Sequence, residues 1–519
     1  MFDVLIIGGG IVGCSIGRQL SRYAIRVGLL EKNIEVGQET TKANSAIVHG
    51  GFDCVPGTKK AAMNVRGNQM MAKLSEELGF TYHQVGSLVL AFDEEEIAQL
   101  QILLERGQKN GVSPLSLLDP PEILALEPRV SPKVKKALYC PNSGVVDPFN
   151  FTYGMIENAM ENGLSLFTET EVIGMERHDD HLLVKTNVGD KKARFVVNAA
   201  GLGSARIAAM TGDTEIRLRP TKGVYRLLDK TDGERIHTVL FQTPTRKGKG
   251  VLVAPTYDGS TLVGPTASVV DDEHDTTVNE EDLRAVDALA CKSVPNLALG
   301  QTIRVFTGVR AKPESGDFHL YASKHMPGVI HAAGIESPGL VSAPAIAEEV
   351  DRLLHANGFA APQKTDFQPR RKAFVRMAEL TAAEKAEQIA QNPLYGNIIC
   401  RCETVSEGEI VDAIHRPGGA CTLDGVKRRV RAGMGRCQGG FCAPRVMAIL
   451  ARERNVDPVT LKKESSESPL LVGHLKNKNT VSKPNHSDDA SPYDSQLPCV
   501  KMENRKQQEK EQDLLHEDH

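Results

Sequence analysis

The chain opens on a short, mostly apolar run, FDVLII at 2–7, in which hydrophobic and polar positions do not alternate. Such a run predicts a strand covered on both faces, as in a parallel sheet. It passes into GGGIVGCSIGRQLSRY, which reads as a tight turn feeding a helix, and then into RVGLLEK at 26–32, a second strand. Together they predict a βαβ unit. Mixed segments follow to about residue 360, among them the strand-like GLSLFTETEVIGMER, ARFVVNAAG and MPGVIHAAG, the last two ending in glycine. This alternation predicts an α/β domain with an inserted second layer.

The pattern then changes. Residues 363–395 are polar with one helical stretch, and read as a linker between the main body, 1–362, and a cysteine-bearing region, 396–452. From 463 to 519 Ser, Asn, Lys, Asp and Glu displace apolar residues, ending in MENRKQQEKEQDLLHEDH. A tail of that composition cannot bury enough apolar surface to offset its ordering entropy, so we expect disorder with at most a short terminal helix. No repeat with a period of about 20 to 50 residues is visible.

Composition narrows the picture. At 519 residues the chain exceeds what one hydrophobic core usually serves, so two or three domains are expected. With 40% hydrophobic and 25% charged residues and a net charge of −4, it offers no electrostatic case for nucleic acid or an anionic membrane. No apolar run reaches the roughly 18 to 20 residues of a membrane span, and no leader pattern opens the chain, so a cytoplasmic protein is expected. Of the ten cysteines, Cys14, Cys54, Cys140, Cys291, Cys421 and Cys499 are scattered. The other four are paired by spacing, which in a reducing compartment suggests a metal or cluster.

The glycines at 8, 10 and 13 have the G-x-G-x-x-G spacing between a strand and a helix. Gly8 permits the tight turn, Gly10 lets the backbone approach a pyrophosphate, and Gly13 lets the helix pack close to the sheet. Glu31 ends the next strand, where a carboxylate binds ribose hydroxyls and disfavours a 2′-phosphate. The motif alone does not choose between NAD and FAD. Two later stretches bear on the choice: VVNAAGLGSARIA at 196–208, running into Ala200 and Gly201, and GVIHAAGIESPGLVSAPAIAEEV at 328–350, a strand, a loop containing Gly334 and a small-residue helix from Gly339 and Leu340. A helix N-terminus there would stabilise negative charge on a reduced flavin ring; the plain alternative is two ordinary core strand ends.

Cys400 and Cys402 are one residue apart, Cys437 and Cys442 four, with 34 residues between the pairs. Structural zinc prefers two to four residues within each pair, whereas four thiolates also suit a [2Fe–2S] cluster; zinc and unligated cysteines stay open on spacing alone. The basic residues Lys427, Arg428, Arg429, Arg431 and Arg436 would either offset a cluster's negative charge or form a solvated helix face, and Cys421 reads as a packing residue.

DVLIIGGGIVGCSIGRQLSR, TTKANSAIVHGGFD at 40–53, VVNAAG and HAAGIESPGL together resemble the D-amino-acid-oxidase-like FAD oxidoreductase superfamily, in the branch that contains glycerol-3-phosphate and L-2-hydroxyglutarate dehydrogenases. NIICRCETVSEGEIVDAI and RRVRAGMGRCQGGFCAPRV resemble the bacterioferritin-associated-ferredoxin-like [2Fe–2S] domain, all four cysteines included. The resemblance implies a Rossmann-like FAD-binding domain with an inserted α+β substrate domain, a small C-terminal iron–sulfur domain and a disordered tail. It also implies FAD and [2Fe–2S] as cofactors, and Cys400, Cys402, Cys437 and Cys442 as cluster ligands. Gly8, Gly10, Gly13, Glu31, Asn44, Ser45, Val172, Ala200, Gly201, Gly334, Gly339 and Leu340 would hold the flavin nucleotide.

On the substrate side the resemblance puts His49 beside the flavin as base or polarising group, and Arg310 after a strand as anchor for a carboxylate or phosphate. Lys222 and Tyr225, in RPTKGVYRL, would line the substrate; relatives often carry Gly-Glu-Tyr where this chain has Gly223, Val224 and Tyr225. The expected activity is oxidation of a small anionic hydroxy substrate, first glycerol 3-phosphate, otherwise L-2-hydroxyglutarate or another 2-hydroxy or amino acid. Electrons would pass to a quinone-linked subunit or another redox protein, with peripheral membrane association through partner subunits. A redox-responsive protein whose flavin meets no substrate is the non-enzymatic alternative.

Overall fold

The computed structural model describes residues 1–230, 235–244 and 250–475. The predicted βαβ unit is present as Phe2–Ile7, Ile11–Leu20 and Val27–Leu30. Phe2–Ile7 runs parallel to Val27–Leu30 on one side and to Lys191–Asn198 on the other, and Val27–Leu30 is extended by the parallel Ser165–Phe167. The long strand Lys191–Asn198 is shared along its far edge: its first half pairs with the antiparallel Leu182–Thr186 and its second half with the parallel Val329–Ala333. Val4, Leu5, Ile6, Leu29, Val196 and Val197 are completely or almost completely buried, as expected of strands covered on both faces. Each such side chain contributes about 1.5–3 kcal/mol of burial.

Helices close the sheet at short range because small residues permit it. A Cβ on Gly67, in Lys59–Leu78, would lie 1.9 Å from the carbonyl oxygen of Val341 in Gly339–Ala356, so that crossing tolerates only glycine. The second layer is a nine-stranded sheet assembled from separated stretches of chain, among them Ser87–Ala91, Lys136–Cys140, Leu218–Leu228, Val239–Gln242, Leu252–Pro255, Thr261–Gly264 and Thr302–Pro313, with the helices Glu94–Lys109 and Glu280–Ser293 among its helical elements. Leu218–Leu228 and Thr302–Pro313 pair antiparallel along nearly their whole length.

The third body contains Ile398–Cys400, Val405–Ser406 and the helices Glu407–His415, Leu423–Val430 and Ala443–Arg454 around their own apolar cluster, with Ile410, Val426 and Leu450 fully buried. Residues 363–395 carry the expected helix, Ala382–Gln391, but the stretch before it lies along the main body. Lys364 N donates to Arg22 O, Arg371 N to Glu77 O, and the buried Arg371 guanidinium is 2.8 Å from Glu157. Residues 463–475 of the predicted tail are described: Lys463 pairs with Asp424 and Glu464 with Arg428 and Lys42. The rest of the tail lies outside the described residues. Among the described residues no helix is long and apolar enough to cross a membrane.

One buried carboxylate gathers several of the contacts that dock the third body. Glu35 accepts from the backbone N–H of Cys421 (3.0 Å) and of Thr422 (2.9 Å), from the Thr422 hydroxyl (2.8 Å) and from the Arg429 guanidinium (2.9 Å). Burial alone would raise its carboxyl, but Arg429 and Arg428 outweigh burial and hold it below the ordinary carboxylate range. Because the folded value is depressed, the contribution is present above the usual carboxylate range and is lost only as pH falls through it. Glu35→Ala leaves Arg429 buried without its partner, a cost of about 3–5 kcal/mol. Hydrogen exchange should then show faster exchange across 398–452 in the variant at neutral pH, and an unchanged exchange pattern would refute this role for Glu35.

Candidate active site and cluster-binding loops

The glycine turn has the shape a dinucleotide requires. Gly8 has a φ of +106°, and a Cβ there would lie 2.5 Å from Ala199 O; a Cβ on Gly13 would lie 1.9 Å from Gly8 O. Gly10 is different: its only close neighbour is Thr41 Oγ1, at 3.2 Å, so its Cα face is open to an approaching ligand. It caps Ile11–Leu20, whose first N–H, on Ile11, donates to Thr41 Oγ1 (3.2 Å), and the positive end of that helix faces the turn where a phosphate would sit. The buried Glu31 closes the turn, with Oε2 accepting from Gly9 N (2.6 Å) and Oε1 from Asn33 N and Nδ2 (2.8 Å each); burial raises its carboxyl. Val172 is buried at the start of the strand Val172–Arg177, close to the point where Thr170 N donates to Glu31 O. Ala200 precedes Gly201, whose φ is +55°. These residues fit the adenosine and pyrophosphate end of FAD.

The other residues expected to hold the flavin nucleotide lie on two further pieces. Asn44 Nδ2 donates to Thr41 O and its Oδ1 accepts from Ala46 N, both at 2.7 Å, so Asn44 shapes the loop that presents Ser45. Gly334 turns the chain at a φ of +64° after Val329–Ala333, and Gly339–Ala356 begins with Leu340 in its first turn and no side chain capping it. The loop abuts the substrate sheet: Thr40 Oγ1 donates to Val309 O (2.6 Å), and a Cβ on Gly308 would lie 2.0 Å from Ala43 O.

His49 lies where that loop meets the sheet. It is buried, its ring stands against Phe52 (4.8 Å between centroids) and Phe241 (5.3 Å), and its Nδ1 accepts from Gly51 N at 3.2 Å with Asp53 Oδ1 3.6 Å away. Its carbonyl accepts from Asn64 and Asn68. Phe52, Asp53 and Phe241 were not legible as site residues, because nothing local to Phe241 says that its strand returns to His49.

Arg310 lies inside the strand Thr302–Pro313 rather than after it. Thr221, Gly223 and Tyr225 are opposite Arg310, Gly308 and Phe306, so all six share one face of the antiparallel pair. Arg310 is half-buried and donates to Thr266 O at 3.4 Å; a Cβ on Gly223 would lie 2.5 Å from its guanidinium. Gly223 thus makes the passage through which Arg310 reaches. Tyr225 stacks on Phe306 at 4.9 Å. Lys222 is not with them. It is opposite Val309 on the other face, buried, with Asp275 at 3.0 Å, so the structure separates it from Arg310 and Tyr225 and neutralises it.

At the third body, Cys400 ends Ile398–Cys400 and Cys442 caps Ala443–Arg454. Sγ of Cys402 is 3.7 Å from that of Cys400 and 3.9 Å from that of Cys437. The donor set is four cysteines with no histidine or carboxylate among them. Separations of 3.7 and 3.9 Å suit thiolates that share a metal centre, and four thiolates are a donor set that a [2Fe–2S] cluster takes. Backbone N–H groups of Phe441 and Gly439 hold Cys437 below the ordinary thiol range, and the hydrogen bond with Cys400 holds Cys442 below it. That same hydrogen bond raises Cys400, and burial raises Cys402.

The basic residues between the pairs serve neither expected purpose as a group. Arg428 and Arg429 are buried against Tyr153 and Glu35 of the main body, and Lys427 against Asp424. Arg431, at a φ of +68°, joins Glu403, next to Cys402, to Asp258 and Tyr257 of the substrate sheet (2.8, 2.7 and 2.9 Å). Arg436 is exposed and pairs with Asp229. Cys421 is buried at the Glu35 contact.

With this geometry stands a family. Residues 3–353 match the model of the FAD dependent oxidoreductases, and 398–452 match the BFD-like [2Fe-2S] binding domain. The chain belongs to the FAD dependent oxidoreductase family and carries a [2Fe–2S] module as a second redox site. It is 45% identical over 476 residues to a glycerol 3-phosphate dehydrogenase of Caloramator mitchellensis, covering 92% of this chain and 99% of that one. It is 34% identical over 362 residues to a glycerol 3-phosphate oxidase of Mycoplasma genitalium, covering 68% and 94%. Among solved structures, FAD-bound, dithionite-reduced L-alpha-glycerophosphate oxidase from Mycoplasma pneumoniae matches with a TM-score of 0.68 and 31% identity, over 71% of this chain and 98% of that one.

The two cofactor sites should be separable. Gly13→Ala should lower the flavin-to-protein absorbance ratio at least about tenfold, a loss of roughly 1.4 kcal/mol or more in binding. Cys402→Ser should abolish the paramagnetic signal of the dithionite-reduced cluster while the flavin ratio stays at the parental value.

Proposed function

We propose that this protein oxidises glycerol 3-phosphate to dihydroxyacetone phosphate and delivers the electrons through its cluster to a one-electron acceptor. The observation that carries the substrate is the likeness to the Caloramator mitchellensis glycerol 3-phosphate dehydrogenase across nearly the full length of both chains. FAD, when bound, supplies the hydride acceptor, and the [2Fe–2S] group supplies single-electron transfer.

The chain's own residues divide the remaining work. Arg310, held at a sheet face opened by Gly223 and Gly308, anchors the phosphate through its two-pronged donor geometry. His49 manages the proton of the hydroxyl being oxidised. With Gly51 N–H on Nδ1 the neutral ring carries its proton on Nε2 and polarises the substrate oxygen; with Nδ1–H turned to Asp53, Nε2 is available as base. Phe52 and Phe241 hold the ring and exclude water. Tyr225 acts as a wall through its stack on Phe306, and Lys222 supports the sheet from behind through Asp275.

The bodies are assigned as 1–362 for flavin and substrate, 363–395 as a connecting strap, and 396–452 for the cluster. We read the protein as cytoplasmic, in keeping with a chain in which no described helix is long and apolar enough to cross a membrane. Its acceptor is then a redox protein or a quinone-linked subunit that brings it to a membrane surface.

An anaerobic visible spectrum tests this reading. Glycerol 3-phosphate should bleach the oxidised-flavin band within seconds, with cluster absorbance changing as electrons pass on. A band that dithionite removes but glycerol 3-phosphate leaves intact would overturn the substrate, and 2-hydroxy acids would be tried next. In the same assay His49→Gln should slow bleaching by about 10²–10⁴-fold at saturating substrate. Arg310→Ala should instead raise the half-saturating concentration, by roughly tenfold or more for the loss of a charge-assisted contact.

A further inference from the structure

The two loops that carry the cluster cysteines present an unusual surface. Cys400 and Cys442 are buried, but Cys402 is exposed and Cys437 half-buried, so one edge of the ligand set faces water. Next to Cys442 in the chain, Phe441 is 86% exposed, whereas every other Phe and Tyr among the described residues is buried or half-buried. A lone exposed aromatic is unremarkable in most places. Here it directly precedes a cluster ligand.

Its surroundings are rich in arginine. Arg401, between the first two ligands, and Arg436, before the third, are exposed. Arg445, one turn after Cys442, is exposed and donates to Ile398 O and Asn397 on the first ligand strand. Arg304 of the substrate sheet is exposed and donates to Gln438, next to Cys437. The acids beside them are engaged: Asp229 pairs with Arg436, Glu403 is turned inward to Arg431 and Lys230, and Glu407 is taken up by Asn397 and Arg452. The edge is therefore cationic on a chain whose net charge is −4.

We propose that this edge, which carries Phe441 and, on or against the same two cysteine loops, Arg304, Arg401, Arg436 and Arg445, is the docking surface for a small acidic one-electron carrier protein, which takes electrons from the cluster at Cys402 and Cys437. The inference rests on the reading of the cluster as the electron exit. An exposed aromatic accompanied by arginines is the composition of a transient protein interface, with the aromatic giving contact area and the arginines steering an acidic partner. Each docking event passes one electron: the cluster is oxidised by one and the carrier reduced by one, so two events complete each substrate oxidation. No bond is made or broken.

The test uses the full chain loaded with both cofactors and, as probe, a purified acidic plant-type [2Fe–2S] ferredoxin, with binding measured by titration calorimetry. Binding should weaken steeply as salt rises from about 10 to 150 mM, over which the Debye length falls from roughly 30 to 8 Å. Arg401→Glu with Arg436→Glu should raise Kd at least about tenfold at low salt, and Phe441→Ser several-fold. The doubly conservative variant, both arginines to lysine, should bind within a few-fold of the parent. The reduced-cluster signal, present in every variant, shows that the loops are intact, and bleaching by glycerol 3-phosphate should be unaltered. A Kd insensitive to salt or to charge reversal overturns the proposal, as does equal arginine-dependent binding to anionic phospholipid vesicles, which would make the edge a lipid contact. Failure of glycerol 3-phosphate to bleach the flavin, with the binding pattern intact, would sink the substrate and leave the docking surface supported.

Discussion

The arrangement of the two redox modules depends on a carboxylate that water never reaches. Glu35 follows Glu31 by four residues, so a single short loop after the second strand carries both the group that closes the nucleotide turn and the group that seats the third body. Removing a carboxylate and a guanidinium from water is costly, and a buried ion pair often contributes little net stability over an apolar substitute. What Glu35 and Arg429 supply is orientation. Two backbone N–H groups, a hydroxyl and a guanidinium converge on one side chain, and each constrains the angle at which the third body meets the first.

A second contact holds the opposite side. Arg431 joins Glu403 to Asp258 and Tyr257, while Lys230 reaches the same two carboxylates. The cluster loop is thereby tied to the substrate sheet as well as to the nucleotide loop. Three bodies meet through paired charges, and the strap at 363–395 is itself pinned by Arg371 against Glu157. A module attached in this way is seated on the main body by several contacts instead of hanging on its tether alone.

The parts of this architecture that were legible in the sequence are those whose cause is local. The glycine turn is readable because Gly8, Gly10 and Gly13 each answer a contact within one strand–turn–helix, and the four cysteines because their residue type announces their chemistry. Lys222 shows where such reading stops. Whether it faces Arg310 depends on the register between two strands some 80 positions apart in the chain, and a shift of one residue reverses the face. Arg428, Arg429 and Arg431 were misjudged for a related reason: a cluster of cations reads as a charged surface until the carboxylates that bury it, at 35, 258 and 403, are brought in by the fold. Gly223 and Gly308 did carry a signal, since glycine inside a strand marks a place where something else passes close.

The contact from Glu464 to Lys42 joins the last described part of the chain to the loop that carries Asn44 and Ser45, across 422 positions of sequence. Because a chain emerges from the ribosome N-terminal end first, the nucleotide turn is complete hundreds of residues before its neighbouring loop can be fastened. Synthesis order thus separates the two: the glycine turn and the strands it packs on are made early, while the loop at Lys42 receives its tie to Glu464 only when the cluster-bearing part has been made and packed. A chain interrupted between the two bodies would have the nucleotide turn without that fastening.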